Sequence, residues 1–234
     1  MSAHGYFITG TDTGIGKTLI SCALIYKLRK QNVKTIGMKP IAAGADLTSQ
    51  GLRNEDALMM IQAAQTSLPY ELINPTCYAE PIAPHIAAKM SNHPINVETI
   101  LKSYKQLQQE AEIIIVEGAG GWFVPLNDEQ TLATLACDLT LPVILVVGMR
   151  LGCLNHALLT QHAIKSSGLT LAGWVANIID PDMQHKDENI AYLTQHIHAP
   201  LLGRINFQEN PCYMKTSESL RLPEDLLGPV NTAC

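Results

Sequence analysis

Along this chain, short apolar runs alternate with longer stretches in which apolar residues return every three or four positions. Tyr6–Thr9, Thr35–Met38, Ile113–Val116, Val143–Val147 and Leu171–Ala176 are strand-length and rich in Ile and Val, the pattern of strands buried on both faces. Thr18–Lys30, Val97–Glu110 and Asn155–Ser167 carry their apolar residues at helical spacing. Leu201–Ile205 adds a sixth short strand. Such alternation predicts an α/β fold, a parallel sheet with helices on both faces. No internal repeat, low-complexity tract or Pro/Ser-rich linker interrupts the pattern, so residues 1–234 are expected to form a single domain. The pattern weakens after Pro211, and the tail 212–234 carries no prediction.

The residues just beyond each strand are informative. The first strand ends at Gly10 and opens into "GTDTGIGKT", and the second ends in Lys39-Pro40. The third ends in Glu117-Gly118-Ala119-Gly120-Gly121, the fourth in Gly148-Met149-Arg150-Leu151-Gly152, and the fifth in Asn177. Open α/β sheets bind ligands outside the carboxyl ends of their strands, so polar and glycine residues gathered at all five ends mark a site. The phosphate-loop pattern G-x-x-x-x-G-K-[ST] has four residues between its glycines. Here five separate Gly10 from Gly16, and Thr11 stands where the first glycine belongs. A tight βα turn would also be glycine-rich, but this stretch comes after a strand and opens an amphipathic helix, the setting the motif requires. Gly14 and Gly16 let backbone N–H groups turn inward, and the helix N-terminus adds a positive dipole end for phosphates. Lys17 then reaches the β- and γ-phosphates, and the Thr18 hydroxyl holds Mg²⁺. The extra residue widens the entrance of the loop and leaves its Gly-Lys-Thr base intact. The expected fold is therefore P-loop NTPase-like.

Composition narrows the function classes. Of 234 residues, 47% are hydrophobic and 16% charged, enough to bury a sizeable core. The net charge of −5 argues against a nucleic-acid partner, which would need a basic patch. No apolar run approaches the roughly 20 residues of a membrane helix. Met1-Ser2-Ala3-His4-Gly5 has neither a charged nor an apolar signal region. Six scattered cysteines without a C-x-x-C pair read as reduced thiols, and a cytoplasmic location is expected. The eight histidines show no zinc spacing.

Further residues stand beside the loop. Lys39 alone would read as a surface lysine; next to a phosphate loop, its ammonium can stabilise a transferring phosphoryl group. Glu117 closes the apolar run "EIIIVEG", and a carboxylate at the end of a buried strand needs a partner, for which Mg²⁺ is suited. Asp56, in "GLRNEDALMM", reads equally as a first-turn helix residue favoured by the dipole or as a metal ligand. "LGCLNHALL" opens a helix whose exposed N–H groups would suit a carboxylate, and the helix is apolar enough to pack on another subunit. Asp12 occupies the place of the signature lysine of plasmid-partition and division-site switch ATPases of the ParA/MinD kind, five residues before Lys17. An acidic residue there cannot neutralise a partner's phosphate, which weighs against a regulatory switch.

"GTDTGIGKT", "KPIAAG", "RNEDA", "AEPIAPHIAA", "VEGAGGWFVPL", "LPVILVVGMRLGCLNHALLT" and "LAGWVAN" together resemble dethiobiotin synthetase, an enzyme family of biotin synthesis, from about Phe7 to Pro211. The resemblance implies a homodimeric ligase that uses ATP and Mg²⁺ to close 7,8-diaminopelargonate and CO₂ into a cyclic urea. It implies that Thr13, Gly14, Ile15, Gly16, Lys17 and Thr18 wrap the triphosphate, with Thr13, Lys17 and Lys39 serving catalysis. Thr18, Asp56 and Glu117 would hold Mg²⁺, and Glu117, Gly118, Ala119 and Gly120 would line the mouth of the site. Asn177 would read the adenine edge, with Asn206 and Phe207 beside it. Lys39, Ala43 and the backbone at Cys153, Leu154 and Asn155 of the partner subunit would bind the substrate.

In the implied chemistry an amine takes up CO₂ as a carbamate, which attacks the γ-phosphorus; the second amine then closes the ring and expels phosphate. No enzyme nucleophile is needed, and positioning with charge stabilisation carries the catalysis. This sequence has Ala43 where some members of that family carry a hydroxyl, Asn206 after Gly203-Arg204-Ile205 where the family usually has proline, and a shortened stretch to Glu209-Asn210-Pro211. An amidoligase of the cobyrinate type is the other enzyme reading, but it requires a glutaminase domain for which the chain has no room.

Overall fold

Residues 4–223 are described in the computed structural model. In chain order the elements are β1 (His4–Gly10), α1 (Lys17–Lys30), β2 (Thr35–Met38), β3 (Ile41–Ala43), β4 (Asp46–Thr48), β5 (Gly51–Arg53), α2 (Glu55–Ala64) and α3 (Tyr70–Ile73). Then come β6 (Thr76–Tyr78), α4 (Pro84–Met90), α5 (Val97–Glu110), β7 (Ile113–Glu117), α6 (Leu132–Leu139) and β8 (Val143–Met149). The chain continues through α7 (Cys153–Ser166), β9 (Leu171–Ile178), α8 (Lys186–His196), β10 (Leu201–Ile205) and α9 (Tyr213–Glu218).

Six strands form one sheet in the order β10-β9-β8-β1-β7-β2, and every neighbouring pair is parallel. The side-chain period of two sends alternate residues to opposite faces. Tyr6 and Ile8 join Ile20, Leu24 and Leu28 of α1, whereas Phe7 turns the other way, toward Ile100, Tyr104 and Leu107 of α5. β7 divides likewise, Ile113 and Ile115 to the α1 face, Ile114 and Val116 to the α5 face. A third cluster under α7 and α8 is built on Leu145, Val147 and Trp174. The predicted parallel sheet covered on both faces is therefore the observed one.

Several boundaries differ from the apolar pattern. β9 runs on to Ile178, so Asn177 lies within the strand rather than just beyond it. α7 starts at Cys153, not Asn155, because Gly152 turns the chain at φ 94°. β3 to β6 escaped the periodicity because three-residue strands are too short to show one. Part of the tail is folded: α9 lies against α1, Tyr213 meets Tyr26 edge-on at 5.9 Å between ring centroids, and Leu220 enters the α1-side core. Residues 224–234 of that tail lie outside the described residues.

Two connections run in opposite directions across the sheet. α1 leads toward β2 at one edge, and α6 leads from β7 across β1 to β8. The carboxyl ends of β1 and β7 thus border a switch in strand order, where such sheets bind ligands.

Candidate active site

The loop after β1 is fastened from below. The Ile15 side chain is buried, and it fills the space that a Cβ at Gly10 or Gly148 would need. Asn177 Nδ2 donates to the Ile15 carbonyl at 2.7 Å. Gly16 then turns at φ 88° into α1, and a Cβ there would collide with the Asn177 amide. The first turn of α1 has no acidic residue and no side-chain cap, so its N–H groups remain open to an anion.

The widened entrance is tied to β8 and the segment after it. Thr11 N–H donates to the Val146 carbonyl at 3.1 Å, and Gly148 N–H donates to Thr11 Oγ1 at 3.4 Å. Asp12 pairs with Arg150, accepts the Thr13 N–H on its other carboxylate oxygen, and accepts Lys17 Nζ on its carbonyl at 2.8 Å. The extra residue of the motif is thus a point of attachment.

Beside the loop lies a buried cluster of charge. Register pairs Met38 with Val116, so the next residues, Lys39 and Glu117, emerge side by side from β2 and β7. Lys39 Nζ donates to Glu117 Oε1 at 2.6 Å and to Asp56 Oδ2 at 2.8 Å. Asp56 is presented by the first turn of α2, whose N-cap Asn54 accepts the Ala57 N–H. Asp56 is thus a first-turn residue whose carboxylate faces the Lys39 ammonium. Thr18 Oγ1 donates to Glu117 Oε1 at 2.9 Å.

Burial disfavours the Lys39 ammonium, but Glu117 and Asp56 more than offset it, and its pKa is raised. Burial likewise disfavours the Asp56 carboxylate, and Lys39 reverses that to leave its pKa lowered. For Lys17 burial prevails over the attraction of Glu117, and Lys39 adds repulsion, so its pKa falls to about 8.

These groups open on a cavity of about 760 Å³ that brings together most of the predicted site. Thr13, Gly14, Gly16, Lys17 and Thr18 line it from the loop; Lys39, Ala43 and Asp56 from the β2 side; Glu117, Ala119 and Gly120 from β7. Ile15 and Gly118 do not line it. Ile15 is consumed by the core and has only backbone to offer, and Gly118 packs on the Phe7 ring while its N–H donates to the Ile8 carbonyl.

Asn177, Asn206 and Phe207 line a separate recess of about 260 Å³, which Gly14 and Gly16 join to the loop. Cys153, Leu154 and Asn155 line neither space. They form the first turn of α7 behind Leu151, which is 95% exposed. An opposite wall of Pro81, Ile82, Ala83 and Pro84, together with Val124, was not foreseen. Its signal lay in "AEPIAPHIAA" and in the "WFVPL" end of "VEGAGGWFVPL", to which no site role was given; Pro84 opens α4 in the first of them.

The donor set suits a hard cation. Thr18, Asp56 and Glu117 offer a hydroxyl and two carboxylates, the oxygen ligands that Mg²⁺ takes. Glu117 Oε2 is buried without a hydrogen-bond partner, which is costly for a carboxylate oxygen unless a ligand binds it.

A family profile described as an AAA domain matches residues 4–211. The ATP-dependent dethiobiotin synthetase BioD of Cellvibrio japonicus is 52% identical over 205 residues, covering 87% of this chain and 89% of that protein. BioD 1 of Escherichia coli K12, of the same name, is 45% identical over 218 residues, covering 93% and 97%. Among solved structures, the MinD cell division protein of Aquifex aeolicus superposes with a TM-score of 0.55 at 16% identity, covering 94% of this chain and 88% of that one. A ParA family ATPase of Chlorobium tepidum gives 0.54 at 14%, covering 93% and 91%. These two share the fold alone. The extent and identity of the BioD matches decide the family: this chain belongs to the ATP-dependent dethiobiotin synthetases.

Proposed function

We propose that the chain is an ATP- and Mg²⁺-dependent ligase that joins CO₂ to 7,8-diaminopelargonate and closes the ring to dethiobiotin, releasing ADP and phosphate. The observation that carries this reading is the buried pairing of Lys39 with Glu117 and Asp56 beside the phosphate loop. It supplies a cation and metal ligands for a phosphoryl transfer whose attacking group is the substrate's own carbamate, so no enzyme nucleophile is needed.

In this reading Thr18, Asp56 and Glu117 hold Mg²⁺, which neutralises charge on the triphosphate. The Thr13–Thr18 loop and the α1 N-terminus cradle the phosphates. Lys17 leaves the Asp12 carbonyl for the phosphate oxygens, and Lys39 faces the phosphoryl group as it is transferred. The recess at Asn177, Asn206 and Phe207 takes the base. One Asn177 Nδ2 proton goes to the Ile15 carbonyl, which fixes the amide and leaves Oδ1 to accept from the base amino group. Ala43 and the Pro81–Pro84 wall border the space left for the diamine.

The first turn of α7 lines neither the cavity nor the recess formed by the described residues, which supports a homodimer in which Cys153, Leu154 and Asn155 bind the substrate carboxylate in the partner's site. Leu151 and Leu159, both exposed, would be covered there. Among the described residues no helix is long and apolar enough to cross a membrane, and the described cysteines are free thiols, which supports a cytoplasmic setting.

The test is phosphate release from ATP with and without diaminopelargonate and bicarbonate, with the organic product identified by mass spectrometry. Release that depends on both substrates and yields dethiobiotin is the expected result. ATP hydrolysis indifferent to the diamine would refute the reading and favour a switch ATPase.

A further inference from the structure

Lys39 comes directly after the last residue of β2 and precedes Pro40, which has no N–H, so the sheet holds its backbone poorly. The segment at the end of α3 holds it instead. Lys39 N–H donates to the Ile73 carbonyl at 2.8 Å, and the Lys39 carbonyl accepts from Asn74 Nδ2 at 2.6 Å. Asn74 Nδ2 also donates to the Thr76 carbonyl at 3.1 Å. Two carbonyls can only accept, which orients the amide and turns Asn74 Oδ1 to the Tyr70 hydroxyl, 2.8 Å away.

That hydroxyl has one proton, and it goes to Asn74. Its oxygen then accepts the Asn54 N–H at 2.8 Å. Asn54 in turn caps α2 with Oδ1 and donates Nδ2 to the Gly44 carbonyl at 2.8 Å. All three members are buried: Tyr70 is 9% exposed, Asn54 6% and Asn74 3%. A buried chain of directed hydrogen bonds thus runs from the backbone of Lys39 to the cap of the helix that carries Asp56. These are the two residues whose charged atoms lie 2.8 Å apart in the cavity.

We propose that Tyr70 is a positioning residue: through Asn74 on one side and Asn54 on the other, its hydroxyl sets the separation of the Lys39 ammonium from the Asp56 carboxylate. The proposal rests on the functional reading above, in which both groups act on the triphosphate and its metal. The hydroxyl suits the task because it is donor and acceptor at once, on a ring whose body is packed. Arg53 covers the ring face at 4.1 Å. The hydroxyl stays a donor, since burial raises its pKa.

The test is Tyr70→Phe, which removes one oxygen and leaves the ring. It is assayed well below the variant's unfolding midpoint, with the folded fraction checked by circular dichroism. Displacing a catalytic group by a fraction of an ångström to one ångström lowers turnover by about tenfold to a hundredfold. The expected result is a fall in kcat of that size with the KM for ATP within about twofold, and weaker Mn²⁺ binding in the presence of AMP-PNP by electron paramagnetic resonance. Asn74→Ser is too short to bridge the Tyr70 hydroxyl and the Lys39 carbonyl and so breaks the chain at its other link; it should show the same split, and it decides the matter alone if Tyr70→Phe does not fold. The double variant should be no worse in kcat than the poorer single one, because both interrupt one chain. Variants with lowered melting temperature but parental kcat and Mn²⁺ affinity would show the network to be ordinary core and overturn the proposal. Should the parent chain form no dethiobiotin, the functional reading fails by itself, and Mn²⁺ binding still decides the role of Tyr70.

Discussion

Lys39→Met tests whether the charged cluster holds the site together. Methionine retains the length and apolar stem of lysine and removes only the ammonium. In the parent that ammonium is 2.6 Å from Glu117 Oε1, with side-chain exposures of 5% and 0%. Its other partner, Asp56, is more than a third exposed and is screened by water, so the loss concentrates on Glu117. Stranding one member of a buried ion pair costs about 3–5 kcal/mol. For a chain of this size that corresponds to a fall in melting temperature of roughly 6–20 °C.

The carboxylates left behind are then free to take a cation. Mg²⁺ should stabilise the variant more than the parent; at a hundred times the variant's own Kd its binding contributes about 2.7 kcal/mol. Turnover should fall by roughly 10²–10³, the typical loss of one preorganised electrostatic partner. Urea unfolding with and without Mg²⁺ measures the first effect, and steady-state phosphate release the second. A variant with parental stability and near-parental kcat would refute both the structural and the catalytic role of Lys39.

Gly16→Ala should abolish tight ATP binding and destabilise the fold by about 1–3 kcal/mol, because φ 88° and the Asn177 amide both exclude a Cβ; calorimetric ATP affinity equal to the parent's would contradict it. Asp12→Asn and Arg150→Ala should each raise the KM for ATP by about twofold to fivefold, the range of an exposed ion pair. Combining them should add little, whereas additive losses would show that the two residues act separately. The lowered pKa of Lys17, about 8 against 10.5, means that between those values the unfolded chain holds a proton the folded chain has released. This group's contribution to stability therefore rises with pH across that window and is least favourable below it. Urea titrations of the parent and Lys17→Met should differ by that slope, and parallel pH profiles would rule it out.

The apolar runs were sufficient to predict the sheet, because a strand buried on both faces must be apolar at nearly every position, a local property of the chain. The phosphate loop was legible for a similar reason: its glycines, lysine and threonine act within a few consecutive residues. Lys39, Asp56 and Glu117 are different. Each alone had a plain explanation, as a surface lysine, a first-turn acid and a strand end. Only the parallel pairing of β2 with β7 places the first beside the third, across 78 residues of chain. The Asp12–Arg150 pair spans 138 residues and was equally invisible. Asn177 was expected just beyond its strand; it lies inside the strand, lines the recess, and donates to the Ile15 carbonyl beneath the loop, a contact no local pattern announces.

Tyr70 and Asn74 attracted no notice, since a buried tyrosine and asparagine carry no pattern until their partners are known. The weakly patterned residues after Pro211 supplied α9, a short helix with almost no periodicity, which owes its place to the surface of α1. Local chemistry is written in consecutive residues and can be read from them. The separation between two charges that must act together is set by strand register and by hydrogen bonds between distant segments, and those exist only once the chain has folded.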